Sequence, residues 1–206
     1  MTGEDSGKTR LLEAAIDLLA EGGSARATVN EICRVAGVRP PALYYHYGNK
    51  EGLVAAAVAA VSEAWLDELE TLVSAGANLE ERLDAGMHGW RALILDPTSA
   101  LLLLLRVQLD SAQTSSEIRA ALLGVMARAK EVIAEAIEGV AGPLEDRSEF
   151  AAVLLDLVQG AALRHHLEDD PVSLDRHLAQ IRRTIRALVE SQRESSLYEL
   201  SPGARS

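Results

Sequence analysis

The chain has 206 residues, of which 48% are hydrophobic and 25% are charged, and its formal net charge is −11. These values are ordinary for a globular protein and exclude a low-complexity chain, while the single cysteine, Cys33, excludes an internal disulfide and a cysteine-clustered zinc site. No apolar signal segment opens the chain, and no apolar run reaches the roughly 18 residues that a membrane span needs. We therefore expect a cytoplasmic protein without a membrane partner.

Helices are favoured over sheets, because aromatic residues make up only 3% of the chain while alanine and leucine are abundant. Apolar residues recur at helical spacing, and the breaks between the apolar stripes predict about nine helices. The run of five leucines after Ala100 gives helix six no polar face, so we expect it to be buried on all sides. The expected helices cover about 8–21, 28–36, 40–47, 50–73, 79–94, 100–109, 115–140, 146–167 and 171–193.

The stretch that begins at Thr28 has the pattern of two short helices joined by a tight turn. Thr28 can cap the first helix, and Glu31, three residues later, completes a capping box. Gly37 lies where the chain must reverse, since a residue without a Cβ adopts left-handed dihedral angles at little cost. Pro40 and Pro41 suit the start of the second helix, whose first amides have no partner. This pattern is typical of a helix-turn-helix, which places its second helix in the DNA major groove.

The run from Thr28 to Lys50 resembles the N-terminal DNA-binding domain of the TetR family of transcriptional regulators. The resemblance covers roughly residues 8–55 and includes the motif LYxHYxxKExL at 43–53. It implies an all-α protein with a three-helix DNA-binding domain followed by a helical ligand-binding and dimerisation domain. The implied domains are 1–53, with the helix-turn-helix at about 28–47, and 54–206.

The resemblance also implies which residues contact DNA. Tyr44 and Lys50 match phosphate contacts of the family, and Thr28 matches a threonine that caps a helix and touches phosphate. Arg39 stands where the family often has a small capping residue; since arginine cannot cap a helix, we expect Arg39 to contact DNA. The expected DNA-binding residues are Thr28, Asn30, Arg39, Pro40, Pro41, Ala42, Tyr44, Tyr45, His46 and Lys50.

The net charge of −11 does not exclude DNA as a partner, because the acidity lies mostly outside the N-terminal region. Residues 1–60 carry six basic and seven acidic side chains, and DNA affinity depends on the local surface that faces phosphate. So few basic contacts predict weak binding by one subunit. We therefore expect a homodimer to bind a palindromic operator.

A further implication of the resemblance is repression that a small-molecule effector relieves. The homodimer interface is expected near 146–167 and 172–193 as a four-helix bundle, where Gly160, Ala161 and Ala162 could allow close approach. Helix four is long enough to start in one domain and end in the other, so we expect it to couple effector and DNA. The leucine-rich interior favours an apolar effector. The candidate effector-binding residues are Trp65, Met87, Trp90, Leu105, Met126 and Phe150.

Catalysis finds little support, because a nucleophile elbow, a glycine-rich phosphate loop and a metalloprotease helix motif are all missing from the sequence. We expect no enzyme and no cofactor. The adjacent His165 and His166 point about 100° apart on a helix, so we expect no metal site. Two alternatives stay open: a DNA-binding regulator without an effector, and an all-helical interaction or enzyme domain.

Overall fold

The computed structural model describes residues 3–96, 98–111, 115–142 and 146–199, and within these ranges the chain forms nine helices and no strand. This confirms the all-α class and the expected number of helices. The helices are α1 (Gly3–Arg26), α2 (Val29–Ala36), α3 (Pro40–Tyr47), α4 (Lys50–Ser74), α5 (Leu79–Leu95), α6 (Ala100–Ser111), α7 (Ser116–Ala141), α8 (Arg147–Glu168) and α9 (Pro171–Glu199).

Two compact units make up the described chain. Unit 1 comprises the described residues up to Asp67 together with Asp96–Ala127, and unit 2 comprises Glu68–Leu95 with the described residues from Arg128 onward. Both α4 and α7 contribute residues to each unit. The units are defined by compactness, so the functional boundary expected after residue 53 stays a prediction. Among the described residues, no single helix is long and apolar enough to cross a membrane, although α5 and α6 taken together reach that length and hydropathy.

Unit 1 is built around the apolar faces of α1, α2, α3 and the start of α4. Leu11, Leu19, Ile32, Leu43 and Leu53 are fully buried there. These residues recur at helical spacing in the sequence, and burying each large aliphatic side chain stabilises the fold by about 1.5–3 kcal/mol. The same core therefore holds the second helix of the helix-turn-helix against α1 and α2.

The end of α1 contains a break at the expected position. Gly22 (φ −157°, ψ 24°) and Gly23 (φ 62°, ψ −158°) are not helical, so the last turn of α1 is separated from the rest of the helix. A backbone like that of Gly23 is essentially restricted to glycine. A side chain at Gly23 would also meet the carboxylate of Asp110 on α6. Close approach of α6 thus adds a second reason for glycine at this position.

Helix α6 departs from the expectation of burial on all sides. Leu101, Leu103, Leu104 and Leu105 are buried, but Leu109 is 67% exposed. The unbroken leucine run hides a normal helical period: Leu102, Arg106 and Leu109 follow one another at spacings of four and three residues, so they share the less buried face of the helix.

Unit 2 is held by the apolar faces of α5, α8 and α9, in which Leu83, Trp90, Leu154 and Leu174 are buried. Ion pairs also join α5 to α9: Arg91 pairs with Asp175 at 2.6 Å, and Arg182 pairs with Glu80 at 2.6 Å and with Asp84 at 2.7 Å. Exposed pairs contribute only about 0–1 kcal/mol each, so these contacts fix the register of the two helices more than they stabilise them.

The expectation that three small residues of α8 allow close approach of another subunit is wrong for two of them. Ala161 and Ala162 are 6% and 1% exposed, so they pack inside unit 2 and are not available to another subunit. Gly160 is exposed, and a Cβ built on it would meet no atom within 4 Å. Of the three small residues, only Gly160 can contribute to a close approach between subunits.

Two glycines on α5 give a matched test of packing. A Cβ on Gly86 would meet no atom within 4 Å, whereas a Cβ on Gly89 would overlap the Leu72 side chain. Gly86→Ala should therefore raise the free energy of unfolding by about 0.5–1 kcal/mol, because alanine favours the helix. Gly89→Ala should lower it by about 1–3 kcal/mol through overpacking. Urea unfolding of both variants measures the two changes in the free energy of unfolding. Changes of the same sign would contradict the difference in packing between Gly86 and Gly89.

Candidate nucleic-acid interface and ligand cavity

The start of α2 is capped as expected. The Glu31 amide donates to Thr28 Oγ1 at 3.2 Å, so one unpaired donor of the first turn is satisfied. The other half of the capping box does not form. The Thr28 amide donates to Arg26 O at 2.9 Å, and the Glu31 carboxylate accepts from Arg34 at 2.9 and 2.6 Å. This bidentate contact with Arg34 holds the pKa of Glu31 below its usual value.

The turn between α2 and α3 depends on Gly37, which is left-handed (φ 64°, ψ 36°). Its amide donates to Arg34 O at 3.3 Å, and the Val38 amide donates to Cys33 O at 3.0 Å. A Cβ on Gly37 would lie 4.0 Å from a guanidinium nitrogen of Arg10. The turn therefore brings a cation of α1 close to the front of α3.

The front of α3 has no side-chain cap. Arg39 is the N-cap residue, its side chain makes no capping hydrogen bond, and it is exposed. Pro40 and Pro41 take the first two helical positions, as expected for residues that lack an amide hydrogen. Arg39 is thus free to extend into solvent, as expected for a residue that contacts DNA.

The tyrosines of α3 divide between solvent and core. Tyr44 and Tyr45 are 53% and 76% exposed, whereas Tyr47 is half-buried and donates from its hydroxyl to Lys8 O at 2.9 Å. Burial raises the pKa of Tyr47. The rings of Tyr45 and His46 pack edge to face with centroids 5.0 Å apart. Tyr47 therefore anchors α3 to α1, and the exposed pair remains available to a ligand as large as DNA.

The junction between α3 and α4 is fixed by Asn49, whose Oδ1 accepts from the Gly52 amide at 2.6 Å. Asn49 therefore caps the start of α4. The next residue, Lys50, donates from Nζ to Ser24 O at 3.1 Å. The Ser24 amide in turn donates to Asp110 Oδ2 at 3.0 Å. Lys50 is therefore tied to the last turn of α1, which is itself tied to α6.

Only some of the cations in the N-terminal part of unit 1 are paired with a carboxylate. Within residues 1–60, Arg26 pairs with Glu21 at 3.4 Å and Arg34 pairs with Glu31 at 2.6 Å. The remaining cations of this stretch make no ion pair with any described residue. Two of them lie on α1, and the other two lie at the starts of α3 and α4. They are Lys8, Arg10, Arg39 and Lys50.

A small apolar cavity lies inside unit 2. The space open to water centres is about 60 Å³, and since one water centre needs about 10–15 Å³, the cavity holds a few waters or a short aliphatic group. Of the described residues in its wall, only Arg82 is charged. The wall consists of Val73, Leu79, Arg82, Leu83, Gly86, Met87, Trp90, Ile133, Ala136, Ile137, Leu154, Val158 and Ile185.

Two of the six residues expected to bind an effector, Met87 and Trp90, lie in this wall. Phe150 belongs to the same unit but is buried elsewhere in its core, at 7% exposure. The other three, Trp65, Leu105 and Met126, belong to unit 1. Trp65 is 1% exposed, and its indole N–H has no hydrogen-bond partner among the described residues. The full set of six stays a prediction.

A wider groove lies in unit 1 along α1, α4 and α6, with about 710 Å³ open to water centres. Asp17, Glu21 and Arg106 line it together with small apolar residues. The groove carries three charged side chains and is open to solvent, and such a surface binds a small molecule less well than a more enclosed apolar one. The cavity in unit 2 is therefore the stronger candidate for an effector. For metals, no group of three or more His, Cys, Asp or Glu side chains comes together within the described residues.

Comparison with known proteins agrees with the geometry of unit 1. Residues 11–57 match the family model described as bacterial regulatory proteins of the tetR family. These residues therefore form a DNA-binding domain of the TetR family. The chain is a transcriptional regulator with a DNA-binding helix-turn-helix. The HTH-type transcriptional regulator BetI of Rhizobium meliloti (strain 1021) is 25% identical over 170 residues, which cover 82% of either chain.

Solved structures show the same fold over most of the chain. A TetR-family regulator from Rhodococcus sp. has a TM-score of 0.68 at 23% identity and covers 90% of this chain and 99% of its own. A TetR regulator from Chloroflexus aurantiacus has a TM-score of 0.74 at 18% identity and covers 90% and 97%. At these identities the likeness concerns the fold alone. It confirms an N-terminal helix-turn-helix followed by a helical C-terminal region.

Three residues near the helix-turn-helix were not among those expected from the sequence to act there. Lys8 and Arg10 lie on α1, and their signal was only their charge and exposure on helix one. Asp110 lies far along the chain on α6, and no local pattern connects it to Ser24. Contacts across 86 residues follow from tertiary packing and have no signature in sequence spacing.

The Asp110 contact leads to a test. Asp110→Ala removes the acceptor of the Ser24 amide, so the amide hydrogen of Ser24 should exchange faster with solvent. The free energy of unfolding should fall by about 1 kcal/mol or less, because the contact is exposed. Asp110→Asn keeps an amide oxygen as acceptor and should behave nearly as the wild type. Hydrogen exchange followed by NMR measures both effects, and equal rates in the wild type and the alanine variant would contradict the contact.

Proposed function

We propose that this TetR-family regulator is a repressor that binds a palindromic operator as a homodimer and is released by a small effector bound in unit 2. The observation that carries the proposal is the exposed face of α3, where Arg39, Tyr44 and Tyr45 project into solvent, in the same unit as Lys8, Arg10 and Lys50, which pair with no described carboxylate. An exposed tyrosine pair has no role in the core of unit 1, and hydroxyl and guanidinium groups are donors suited to phosphate and base edges.

The proposed contacts divide by chemistry. Lys50, Tyr44 and Thr28 bind phosphate oxygens and position α3 in the major groove. Arg39 and Asn30 have the side chains suited to bidentate contacts with guanine and adenine. The other members of the expected set, Pro40, Pro41, Ala42, Tyr45 and His46, supply apolar and edge contacts along α3.

Coupling between effector and DNA is proposed to run through α4. This helix is continuous from Lys50 to Ser74, and Val73 near its end lines the cavity. An effector that shifts the end of α4 would also move Lys50 at the start of the same helix. The effector must bind the two states of α4 with different affinity, because otherwise it cannot shift the equilibrium. Equal operator affinity with and without saturating effector would disprove this coupling.

Operator binding is tested first with duplex DNA from directly upstream of the gene for this protein, at two salt concentrations. Saturable binding well above that of a scrambled duplex, with two subunits per site, is expected. Binding no better than to scrambled DNA, and lost at modest salt, would argue against sequence recognition at this site. The cytoplasmic location expected from the sequence stays a prediction.

Arg39 allows the base and phosphate contacts to be distinguished. Arg39→Ala should weaken operator binding by about 1–3 kcal/mol and relax sequence preference at one position if the guanidinium reads a base. If it binds phosphate, the loss should be uniform across sequences, and the salt dependence should fall by about one released ion. Arg128→Ala is the matched control, because Arg128 is an exposed arginine of α7 in unit 2 and its loss changes the net charge equally. Equal effects of the two variants would exclude a direct role for Arg39.

The proposed dimer interface uses α8 and α9, and exposed apolar residues on these helices support it. Val153 and Leu163 on α8 and Leu188 on α9 are 43%, 37% and 38% exposed. Gly160 lies on the exposed side of α8 and offers a place for close approach to a partner helix.

Replacement of Gly160 by a long cation tests this interface. Gly160→Lys should give a monomer, because the side chain would be buried without an ion-pair partner between the two α8 helices. Gly124→Lys is the control, since Gly124 is also exposed on a helix and a Cβ on either glycine meets no atom within 4 Å. Sedimentation velocity measures the oligomeric state. A dimeric Gly160→Lys variant would place the interface elsewhere.

A regulator without an effector is the second candidate, and the size of the cavity favours it. About 60 Å³ for water centres is small compared with the pockets of roughly 300–1,000 Å³ that hold drug-sized ligands. This candidate predicts operator binding that no small molecule changes. The proposed effector must therefore be small, or the cavity must widen when it binds.

A further inference from the structure

Arg82 differs from every other described residue in the wall of the unit 2 cavity, because it is the only one that carries charge. Its Nε donates to Gly76 O at 3.1 Å, and its Nη1 donates to Ala136 O at 2.6 Å. Both partners are neutral carbonyl groups. Within the described part of the chain Arg82 has no carboxylate partner, so its positive charge is not compensated by an ion pair.

We propose that the effector is a small amphipathic anion, a carboxylate on a short aliphatic chain, with the carboxylate bound by Arg82 and the chain enclosed by the apolar wall. This inference rests on the proposed function and specifies the chemistry of its effector. Three features of this effector follow from different residues of the cavity: the anionic head, the aliphatic chain and the length of that chain.

The anion follows from the donors that Arg82 has left. A guanidinium has five N–H donors, and two of them are used by the carbonyl groups of Gly76 and Ala136. These two contacts hold the guanidinium plane in place, so a ligand would meet an oriented group rather than a flexible one. A carboxylate accepts two parallel N–H bonds from such a group. A cationic ligand would be repelled, and a neutral one would leave the charge uncompensated.

The aliphatic chain follows from the rest of the wall. Leu83, Met87 and Ile133 are typical of it, and apart from Arg82 and the indole N–H of Trp90, the described lining side chains offer a ligand no N–H or oxygen. A ligand with hydroxyl or amide groups would lose its hydrogen bonds to water here without replacement, which costs about 1–3 kcal/mol for each group. An unsubstituted hydrocarbon chain has no such cost and gains from burial.

The length follows from Gly86. This residue is buried, yet a Cβ built on it would meet no atom within 4 Å, so it faces the open space of the cavity. The missing side chain on α5 creates room for a few methylene groups. The space of about 60 Å³ corresponds to roughly four to six water centres. The chain is therefore short, and affinity should rise with added methylene groups only until this space is filled.

Isothermal titration calorimetry on the full chain tests the proposal with straight-chain carboxylates from butanoate to octanoate. Hexanoate is compared with hexanol and hexylamine, which have a similar apolar chain but a neutral or a cationic head. Hexanoate should bind at least about tenfold more tightly than hexanol, as expected for a charge-assisted hydrogen bond. Hexylamine should bind more weakly than either.

Variants at two positions assign the binding to this cavity. Arg82→Gln should bring the affinities for hexanoate and hexanol close together, and Arg82→Lys should restore part of the preference for the anion. Gly86→Leu should fill the space and abolish binding of both ligands. Arg91→Gln is the control, because Arg91 is on the same helix but pairs with Asp175 and does not line this cavity. It should leave binding unchanged.

Several results would overturn the proposal. Hexanol or hexylamine binding to the wild type as tightly as hexanoate would exclude the anion, and absence of binding by the whole series would exclude the ligand class. Unchanged binding by Gly86→Leu would place the site elsewhere. Operator titration without ligand separates these failures from failure of the proposed function. A wild type that binds operator but no carboxylate overturns only the present inference, whereas carboxylate binding without operator binding overturns the repressor.

Discussion

The helix expected to read DNA is too short to be stable by itself, and its orientation is set by the residues it buries. α3 has eight residues, whereas isolated helices below about 12–15 residues are marginal in water. Leu43 is fully buried in unit 1, and the Tyr47 hydroxyl is bonded to α1 at Lys8 O. Because a helix turns about 100° per residue, fixing these two positions directs Tyr44 and Tyr45 toward solvent. The exposed tyrosines are thus a consequence of the core.

Lys50 has a structural role and is still able to bind phosphate. Its ammonium group has three N–H donors, and one of them is used by Ser24 O. The remaining donors lie at the N-terminus of α4, where the helix dipole also favours an anion. Since Asp110 holds the Ser24 amide, the position of Lys50 depends on α6 as well as on α4. Both helices therefore contribute to the placement of one expected phosphate contact.

Local features were predictable from the sequence, and features that depend on tertiary contacts were not. The Thr28 cap, the left-handed Gly37 and the Asn49 cap each involve residues within four positions of one another. The capping box is incomplete because the Thr28 amide already donates to Arg26 O and the Glu31 carboxylate is engaged by two N–H groups of Arg34. Ala161 is buried because the apolar face of α8 to which it belongs packs inside unit 2. Which large side chains meet at a cavity, as Trp90 does and Trp65 does not, depends on how helices distant in sequence pack.

Two glycines on one helix show why the cavity calls for a functional explanation. Glycine within a helix costs about 0.5–1 kcal/mol relative to alanine. At Gly89 this cost is offset by packing, since any side chain there would overlap Leu72. At Gly86 no neighbouring atom requires the absence of a side chain, so packing offsets nothing. Gly86 instead leaves room in the wall of the cavity that Arg82 also lines. The proposed ligand would place its alkyl chain in that room and its carboxylate on Arg82, so one molecule would account for both features.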